Sequence, residues 1–359
     1  MPGGAPRSTD TLRTRHIPVL LSEVVECLAP GDGQLIIDAT FGAGGYSRAI
    51  LEAADCRVLA FDRDITAVRA AAEICQQFTN RLGVVNQPFS RMEDFARIEE
   101  TANGQPLIEG PFADGVVLDI GVSSMQLDQA ERGFSFQSDG PLDMRMSAAV
   151  DPLTGGAAQT GQSAADFLNA ADEAAIANVI YTYGEEKKSR WIARAIVKAR
   201  TEKPLTRTLE LADVVLRVFH GRKIDGRHPA TRTFQALRIY INDELGELAQ
   251  ALAAAERILK PGGRLAVVTF HSLEDRIVKR FLTARTGKES KGSRHLPEVS
   301  IKSREPSFRF LNARPLTPSK GELAVNPRAR SARLRFAIRT GAEPWPLDLD
   351  DLSVPQPDL

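Results

Sequence analysis

Short apolar runs alternate with amphipathic stretches along the first third of the chain. Four of these runs are brief and bounded by turn residues, so they are predicted as buried strands, at residues 35–38, 57–61, 82–86 and 114–121. Helical patterns separate them, and strands that alternate with helices indicate a parallel, doubly wound α/β sheet. Residues 16–124 are therefore predicted as the first part of an α/β domain.

The alternation stops at about residue 125 and returns only after residue 230. Helical patterns occupy the segment between. One of them begins at Ser163, and Asp166 three residues later completes a capping-box pattern. The segment 125–230 is therefore predicted as an inserted all-helical domain.

The α/β pattern returns over residues 231–340. A continuous apolar stripe predicts one long helix from 231 to 259. The Lys-Pro-Gly-Gly sequence at 260–263 ends that helix, and an apolar run at 264–270 predicts a fifth strand. Residues 332–339 alternate apolar and basic positions, which is typical of an antiparallel edge strand.

The two ends of the chain differ from its body in composition. Residues 1–15 are polar and are predicted to be disordered, and residues 341–359 are acidic and proline-rich and are predicted as a disordered acidic tail. The 359 residues carry a formal net charge of zero, so overall charge does not indicate nucleic acid.

The three cysteines show no paired spacing, which favours buried thiols in a reducing, cytoplasmic setting. No histidine stands at metal-ligand spacing, so no metal site is predicted. We find no bilayer-spanning apolar run and no signal peptide, so no membrane contact is expected.

A glycine-rich turn follows the first predicted strand and leads into a helix. Its sequence is Gly42-Ala43-Gly44-Gly45-Tyr46-Ser47. Glycines let the backbone approach a ligand, and the helix start presents free N–H groups, so the turn indicates a nucleotide-type cofactor. Asp38 before the turn would repel a pyrophosphate but attract the positive groups of S-adenosylmethionine. Asp62 ends the second strand, where a ribose acceptor is expected, so a methyltransferase is favoured over a dehydrogenase.

The sequence after the fourth strand supplies groups that could hold a target amine. It reads Asp119-Ile120-Gly121-Val122-Ser123-Ser124. An exocyclic amine is a poor nucleophile because its lone pair is delocalised, and acceptors for its N–H groups favour rehybridisation during methyl transfer. Asp119, Ser123 and Ser124 are therefore the catalytic candidates.

Six blocks in order resemble one family. They are the Asp119–Ser124 stretch with Gln126-Leu127-Asp128, Glu131–Phe136, Gly140–Met146, Tyr183–Glu186, His228–Ala236 and Phe270–Arg276. Over roughly residues 16–340 the chain is similar to the bacterial ribosomal RNA small subunit methyltransferase H family, also called MraW. Tyr46, where the family usually has His, and Met125, where Pro is common, depart from it.

The resemblance implies a class I S-adenosylmethionine-dependent methyltransferase fold (Rossmann-like) with a helical insertion. It implies methylation of N4 of a cytidine in 16S rRNA, in the small (30S) ribosomal subunit near the decoding centre. It leaves a homodimer open. The cofactor contacts implied by the resemblance are Gly44, Gly45, Tyr46, Asp62, Phe89, Asp119 and Gln126.

Residues predicted to bring RNA to the site lie outside the glycine turn. Arg190, Arg194 and Lys198 recur every fourth residue and would form a phosphate-binding stripe on one helix face. Phe134 and Phe136 could stack on a flipped base or pack the domain junction. His271 could contact the base or cap the following helix.

Two other functions stay open on the sequence. One is a class I methyltransferase that acts on DNA or protein. The other is a ribosome-assembly binding protein that has kept the fold without catalysis, although the intact glycine turn and the aspartates at 62 and 119 argue against it.

Overall fold

One mixed sheet lies at the centre of the molecule. The computed structural model describes residues 18–94, 112–147, 161–224, 226–287 and 304–359. Over these residues the sheet has seven strands, β1 (Leu35–Asp38), β2 (Arg57–Phe61), β3 (Leu82–Val85), β4 (Ala113–Asp119), β5 (Leu259–Thr269), β6 (Phe308–Arg309) and β7 (Arg333–Arg339). Their order is β3-β2-β1-β4-β5-β7-β6, with β1 to β5 parallel and β7 antiparallel to both neighbours. The predicted α/β class I methyltransferase fold is confirmed.

Strand order reverses between β1 and β4, which are hydrogen-bonded neighbours although β2 and β3 lie between them in sequence. Chain connections leave the sheet in opposite directions on either side of this point. A crevice therefore opens beyond the carboxyl ends of β1 and β4, where doubly wound sheets bind their ligands.

Helices lie along the chain before, between and after these strands. In the described residues they are α1 (Leu21–Leu28), α2 (Gly45–Ala53), α3 (Ile65–Ala70), α4 (Ala72–Gln77), α5 (Ser124–Asp128), α6 (Ala164–Ala170), α7 (Glu173–Gly184), α8 (Ser189–Glu202), α9 (Thr208–Val218), α10 (Ala230–Asn242), α11 (Glu244–Ile258), α12 (Ser272–Arg285), α13 (Lys320–Val325) and α14 (Leu349–Leu352).

In its described residues the inserted segment contains helices α5 to α9 and shares one hydrophobic core with the sheet. Ser163 caps α6 in the expected capping box with Asp166. Phe167 and Ile192 of the insertion belong to the same buried cluster as Leu118 of β4. The insertion is therefore packed against the sheet, while its boundaries at 125 and 230 stay a prediction.

The predicted helix over 231–259 is wrong in one respect: it is two helices. Asp243 adopts a left-handed conformation, with φ 47° and ψ 42°, between α10 and α11. A non-glycine residue in this region interrupts the helical hydrogen-bond ladder. The apolar stripe continues across the break because both helices pack on the same core, so hydrophobic periodicity alone did not reveal it.

The last strand also differs from its prediction. β7 lies between β5 and the two-residue β6, so it is not the edge of the sheet. Its basic residues Arg335 and Arg339 are 8% and 6% exposed. Arg335 pairs with Asp275 at 2.7 Å, and Arg339 donates to the carbonyl oxygen of Glu256 at 2.8 Å. At Arg335 and Arg339 the apolar-basic alternation therefore reflects buried ion pairs and hydrogen bonds rather than a solvent-facing side.

The C-terminal residues 341–359 are folded, so the predicted disordered tail is wrong. Leu352 in α14 is 1% exposed and Val354 is 8% exposed. The backbone N–H of Trp345 donates to the buried Glu256 carboxylate at 3.1 Å. A few apolar residues anchor this acidic segment to the core. The predicted disordered N-terminus, 1–15, lies outside the described residues.

Candidate cofactor and substrate pocket

A cavity of about 360 Å³ opens beyond the carboxyl ends of the parallel strands. Its wall includes residues of the glycine turn after β1, the end of β2, the segment after β3 and the loops after β4 and β5. The site is thus the crevice expected from the reversal of strand order.

The glycine turn forms one side of the cavity, but not through Gly44. Gly42 and Gly44 have positive φ, 54° and 75°, which glycine adopts without steric cost. A Cβ on Gly44 would lie 2.6 Å from Ile74 and 2.7 Å from Phe41. Gly45 lines the cavity and begins α2. Gly44 thus shapes the turn and packs against Ile74 and Phe41, and its predicted contact with a cofactor stays a prediction.

Tyr46 lines the cavity, yet its polar end is already engaged. Its hydroxyl group donates to the carbonyl oxygen of Val19, and the side chain is 3% exposed. Burial, with the nearby Asp119 and Asp38, raises the pKa of Tyr46 well above its usual value. Any contact with a ligand at this position falls to the backbone or to the ring.

Asp62 directly follows β2, and its carboxylate is held between two backbone N–H groups. Gly42 donates to Oδ2 and Asp64 donates to Oδ1, each at 2.8 Å. Burial is the main reason that the pKa of Asp62 rises to about 6. Each oxygen still has acceptor capacity, and the residue lines the cavity, so it can accept hydrogen bonds from a pair of hydroxyl groups.

Phe89 and Gln126 also lie in the wall. Phe89 begins a turn of 3₁₀-helix over Phe89–Arg91 and offers an apolar surface for a planar ring. The side-chain amide of Gln126 donates to Asp64 at 3.0 Å and accepts from the backbone of Ser123 at 3.1 Å. Its polar atoms are thus committed to positioning the loop after β4.

The two serines after β4 lie at the start of α5. Ser123 is the N-cap and its hydroxyl oxygen accepts from the backbone N–H of Gln126 at 3.2 Å. It also lines the cavity, and within the described ranges no hydrogen bond uses its own O–H as a donor. Ser124 is the first residue of α5, and its side chain lies outside the described structure.

Asp119 is a half-buried acid that lines the cavity at the end of β4. Its Oδ1 is buried and has no hydrogen-bond partner among the described residues. Burial, reinforced by Asp38 and Glu274, raises the pKa of Asp119 well above its usual value. An unsatisfied buried acceptor of this kind is costly unless a ligand supplies the donor.

Asp38 takes a different position from the one that its sequence context suggested. It is fully buried and is not part of the cavity wall. Ser47 and the backbone N–H of Thr40 donate to its carboxylate at 2.6 and 3.2 Å. The expectation that Asp38 meets a positive group of the cofactor is therefore wrong, and Asp119 is the acid exposed to the cavity.

The aromatic candidates for stacking on a base are part of the protein interior. Phe134 is 6% exposed, and the ring of Phe136 lies 4.8 Å from the rings of both His228 and Phe234. Neither lines the cavity. Their proposed stacking role is corrected to the alternative, packing between the insertion and the rest of the molecule.

His271 is a helix cap rather than a group in the cavity wall. It precedes α12, and its Nδ1 accepts from the backbone N–H of Glu274. Its Nε2 lies 2.9 Å from a carboxylate oxygen of Glu274. The predicted contact with the base is therefore replaced by the capping alternative.

The basic stripe is exposed, as expected, and lies outside the cavity wall. Arg190, Arg194 and Lys198 are exposed residues on one face of α8. Arg194 is 3.5 Å from Glu173 and lies over the ring of the exposed Trp191. The structure does not place this stripe at the cavity.

Three arginines in the wall were not predicted: Arg63, Arg238 and Arg328. Arg63 directly follows Asp62, and this neighbouring position could have predicted that Arg63 lies in the wall. Arg238 lies on α10, and nothing in the sequence indicated that it reaches the wall. Taken together, a free buried acceptor at Asp119, a hydroxyl acceptor at Asp62 and an apolar ring at Phe89 fit a positively charged nucleoside cofactor.

Comparison with known proteins also indicates a methylase. The model of the MraW methylase family matches residues 13–340. The chain is 55% identical over 334 residues to ribosomal RNA small subunit methyltransferase H of Parvibaculum lavamentivorans, covering 93% of this chain and 92% of that protein. It is 51% identical over 348 residues to the protein of that name from Cereibacter sphaeroides, covering 97% of each. No helix within the described ranges combines the length and apolarity of a membrane span.

Proposed function

The chain belongs to the MraW methylase family, and from this membership we propose that it methylates ribosomal RNA of the small subunit with S-adenosylmethionine. The acceptor is N4 of a cytidine in 16S rRNA, near the decoding centre of the 30S subunit. The observation that carries the proposal is the unpartnered Oδ1 of Asp119, buried at the end of β4 in the wall of the cavity.

Different residues of this chain would contact different parts of the cofactor. Asp62 accepts hydrogen bonds from ribose hydroxyl groups, and Phe89 covers the adenine ring. Gly45 and Tyr46 line the cavity, and their backbone would run beside the bound cofactor. Bound S-adenosylmethionine supplies an electrophilic methyl group.

Asp119 orients the target amine. Its carboxylate, which lines the cavity, accepts an N–H of the cytosine N4 group, which aligns the nitrogen lone pair toward the methyl donor and favours rehybridisation. The raised pKa of Asp119 also makes its carboxylate a competent acceptor for the proton that the methylated nitrogen releases. Ser123 lines the same wall and is a second candidate contact. Ser124 is kept as a candidate on its sequence position.

RNA docks on basic side chains that lie outside the cavity. The exposed stripe of Arg190, Arg194 and Lys198 provides phosphate contacts that position the subunit without reading its sequence. The target cytidine leaves its stack to enter the cavity, as base-modifying enzymes require.

The test uses purified protein, S-adenosylmethionine with an isotopically labelled methyl group, and 30S subunits from a strain that lacks the corresponding gene. Mass spectrometry of nuclease fragments then maps the label. We expect one labelled methyl group on N4 of one cytidine. Label on DNA or protein offered in parallel, or no transfer while the cofactor still binds, would support one of the two other functions instead.

A further inference from the structure

Arg238 and Glu244 form a buried ion pair that exists because of the helix break at Asp243. The guanidinium Nε and Nη2 donate to the two carboxylate oxygens, both at 2.7 Å. In a continuous helix, residues six apart are separated by about 9 Å along the axis and lie on different faces. The left-handed Asp243 turns α11 relative to α10 and brings the two side chains together.

This pair holds the arginine by one edge of its guanidinium. Arg238 is 16% exposed in its side chain and Glu244 is 5% exposed. A bidentate pair uses two nitrogens and fixes the plane of the group. Among the described residues no hydrogen bond engages the third nitrogen, Nη1, and Arg238 lines the cavity.

Arg238 and Asp119 each interact electrostatically with Glu274. Both line the same cavity. Glu274 contributes to the raised pKa of Asp119, after burial and Asp38. Burial opposes ionisation of Glu274 itself, yet His271 and Arg238 hold its pKa below the usual value. The rigid guanidinium of Arg238 and the carboxylate of Asp119 therefore border the same cavity.

We propose that Arg238 reads the pyrimidine ring of the target: its Nη1 donates to O2 and N3 of the cytosine whose N4 amine is held by Asp119. This assignment rests on the proposed function and deepens it. Cytosine presents two adjacent acceptors and one amine donor, which is the complement of a guanidinium beside a carboxylate. Uracil carries N3–H and O4 instead, so its donor meets the arginine donor and its acceptor meets Asp119. The site thereby excludes uracil by unmatched polar groups.

The test isolates the N3 contact with 3-deazacytidine, which has C–H in place of the N3 acceptor. 30S subunits are reconstituted with cytidine or 3-deazacytidine at the methylated position, and kcat/KM is measured for each. We expect the unmodified enzyme to lose about tenfold on the analogue, the usual scale for one charge-assisted hydrogen bond. Arg238→Lys, which keeps a charge for Glu244 without the fork, should lose no more than about threefold.

Two further variants keep the result interpretable. Arg238→Met combined with Glu244→Gln removes both buried charges together, so it avoids an unpaired carboxylate if Arg238→Lys does not fold. Arg257→Lys makes the same chemical change on α11 at an exposed residue paired with Glu93 and should keep the full penalty.

Equal penalties in the unmodified enzyme and the Arg238 variants overturn the assignment, as does the absence of any penalty in the unmodified enzyme. Either result leaves cytidine methylation intact and so contradicts only the role of Arg238. Failure of the unmodified enzyme to methylate any cytidine overturns the proposed function and the assignment together.

Discussion

The hydroxyl group of Ser47 donates a hydrogen bond of 2.6 Å to the carboxylate of Asp38. Both residues are fully buried. Asp38 ends β1 and Ser47 lies in α2, so this bond joins strand and helix beneath the glycine turn. The serine at the third-glycine position of a dinucleotide-type turn therefore satisfies a buried acid, and it supports the cavity from behind.

Ser47→Ala is expected to destabilise the protein. Asp38 would keep the backbone N–H groups of Thr40 and of residue 47 but lose the hydroxyl donor, and loss of a hydrogen bond to a buried carboxylate costs about 1–3 kcal/mol. Denaturant unfolding monitored by circular dichroism measures the loss. Glu52→Ala, an exposed change on the same helix, should change stability by less than about 0.5 kcal/mol. Equal stability of the two variants would contradict the role of Ser47.

Asp62→Asn should weaken cofactor binding and remove its pH dependence near pH 6. Above its pKa of about 6 Asp62 is a carboxylate that accepts from ribose hydroxyl groups, and below it the protonated group loses acceptor strength. Affinity of the unmodified protein should therefore rise as pH increases through 6. Loss of a charge-assisted hydrogen bond predicts about 10- to 100-fold weaker binding at pH 8. Calorimetric titration with S-adenosylhomocysteine from pH 5 to 8 measures both effects, and unchanged affinity would exclude the contact.

Asp119→Asn should abolish most turnover while the protein still folds. It keeps the shape of the side chain but removes the charge that accepts the amine proton, so kcat should fall by about 10²-fold or more. Because the pKa of Asp119 is raised, activity of the unmodified enzyme should increase with pH as this group ionises. Single-turnover rates at saturating cofactor separate this effect from binding. Near-normal turnover in the variant would remove Asp119 from the mechanism.

Charge reversal at Arg190 and Arg194 should weaken binding to the 30S subunit and leave cofactor binding unchanged. Both are exposed on α8. Each lost phosphate contact should lower the slope of log affinity against log salt by about 0.7–0.9. The control is Arg57→Glu, an exposed residue at the amino end of β2, away from Asp62. A salt slope that stays the same in the double variant would show that the stripe does not contact RNA.

Leu352→Ala should destabilise the protein, because the C-terminal segment is part of the fold. Leu352 is 1% exposed, whereas Leu359 is 71% exposed. Truncation of a buried leucine costs about 2–5 kcal/mol, and the same change at Leu359 should have almost no effect. Thermal unfolding of the two variants gives the comparison. Similar midpoints would mean that α14 does not anchor the tail in solution.

The sequence by itself determined the features that depend on local order. Strand-helix alternation predicted the parallel sheet, because residue periodicity follows directly from backbone geometry. It also placed Asp62 and Asp119 correctly at the ends of β2 and β4. Capping at Ser163 was predictable for the same reason, since cap and partner lie three residues apart.

Tertiary structure decided which of these groups face the ligand. Asp38 and Asp119 both end neighbouring strands, yet Asp38 is satisfied by Ser47 and Asp119 is left free. Arg335 joins Asp275 across 60 positions in the sequence, and Arg238 meets Glu244 only because Asp243 turns the chain. Burial and ion pairing depend on how distant segments pack, and this information is not contained in periodicity or in spacing along the chain.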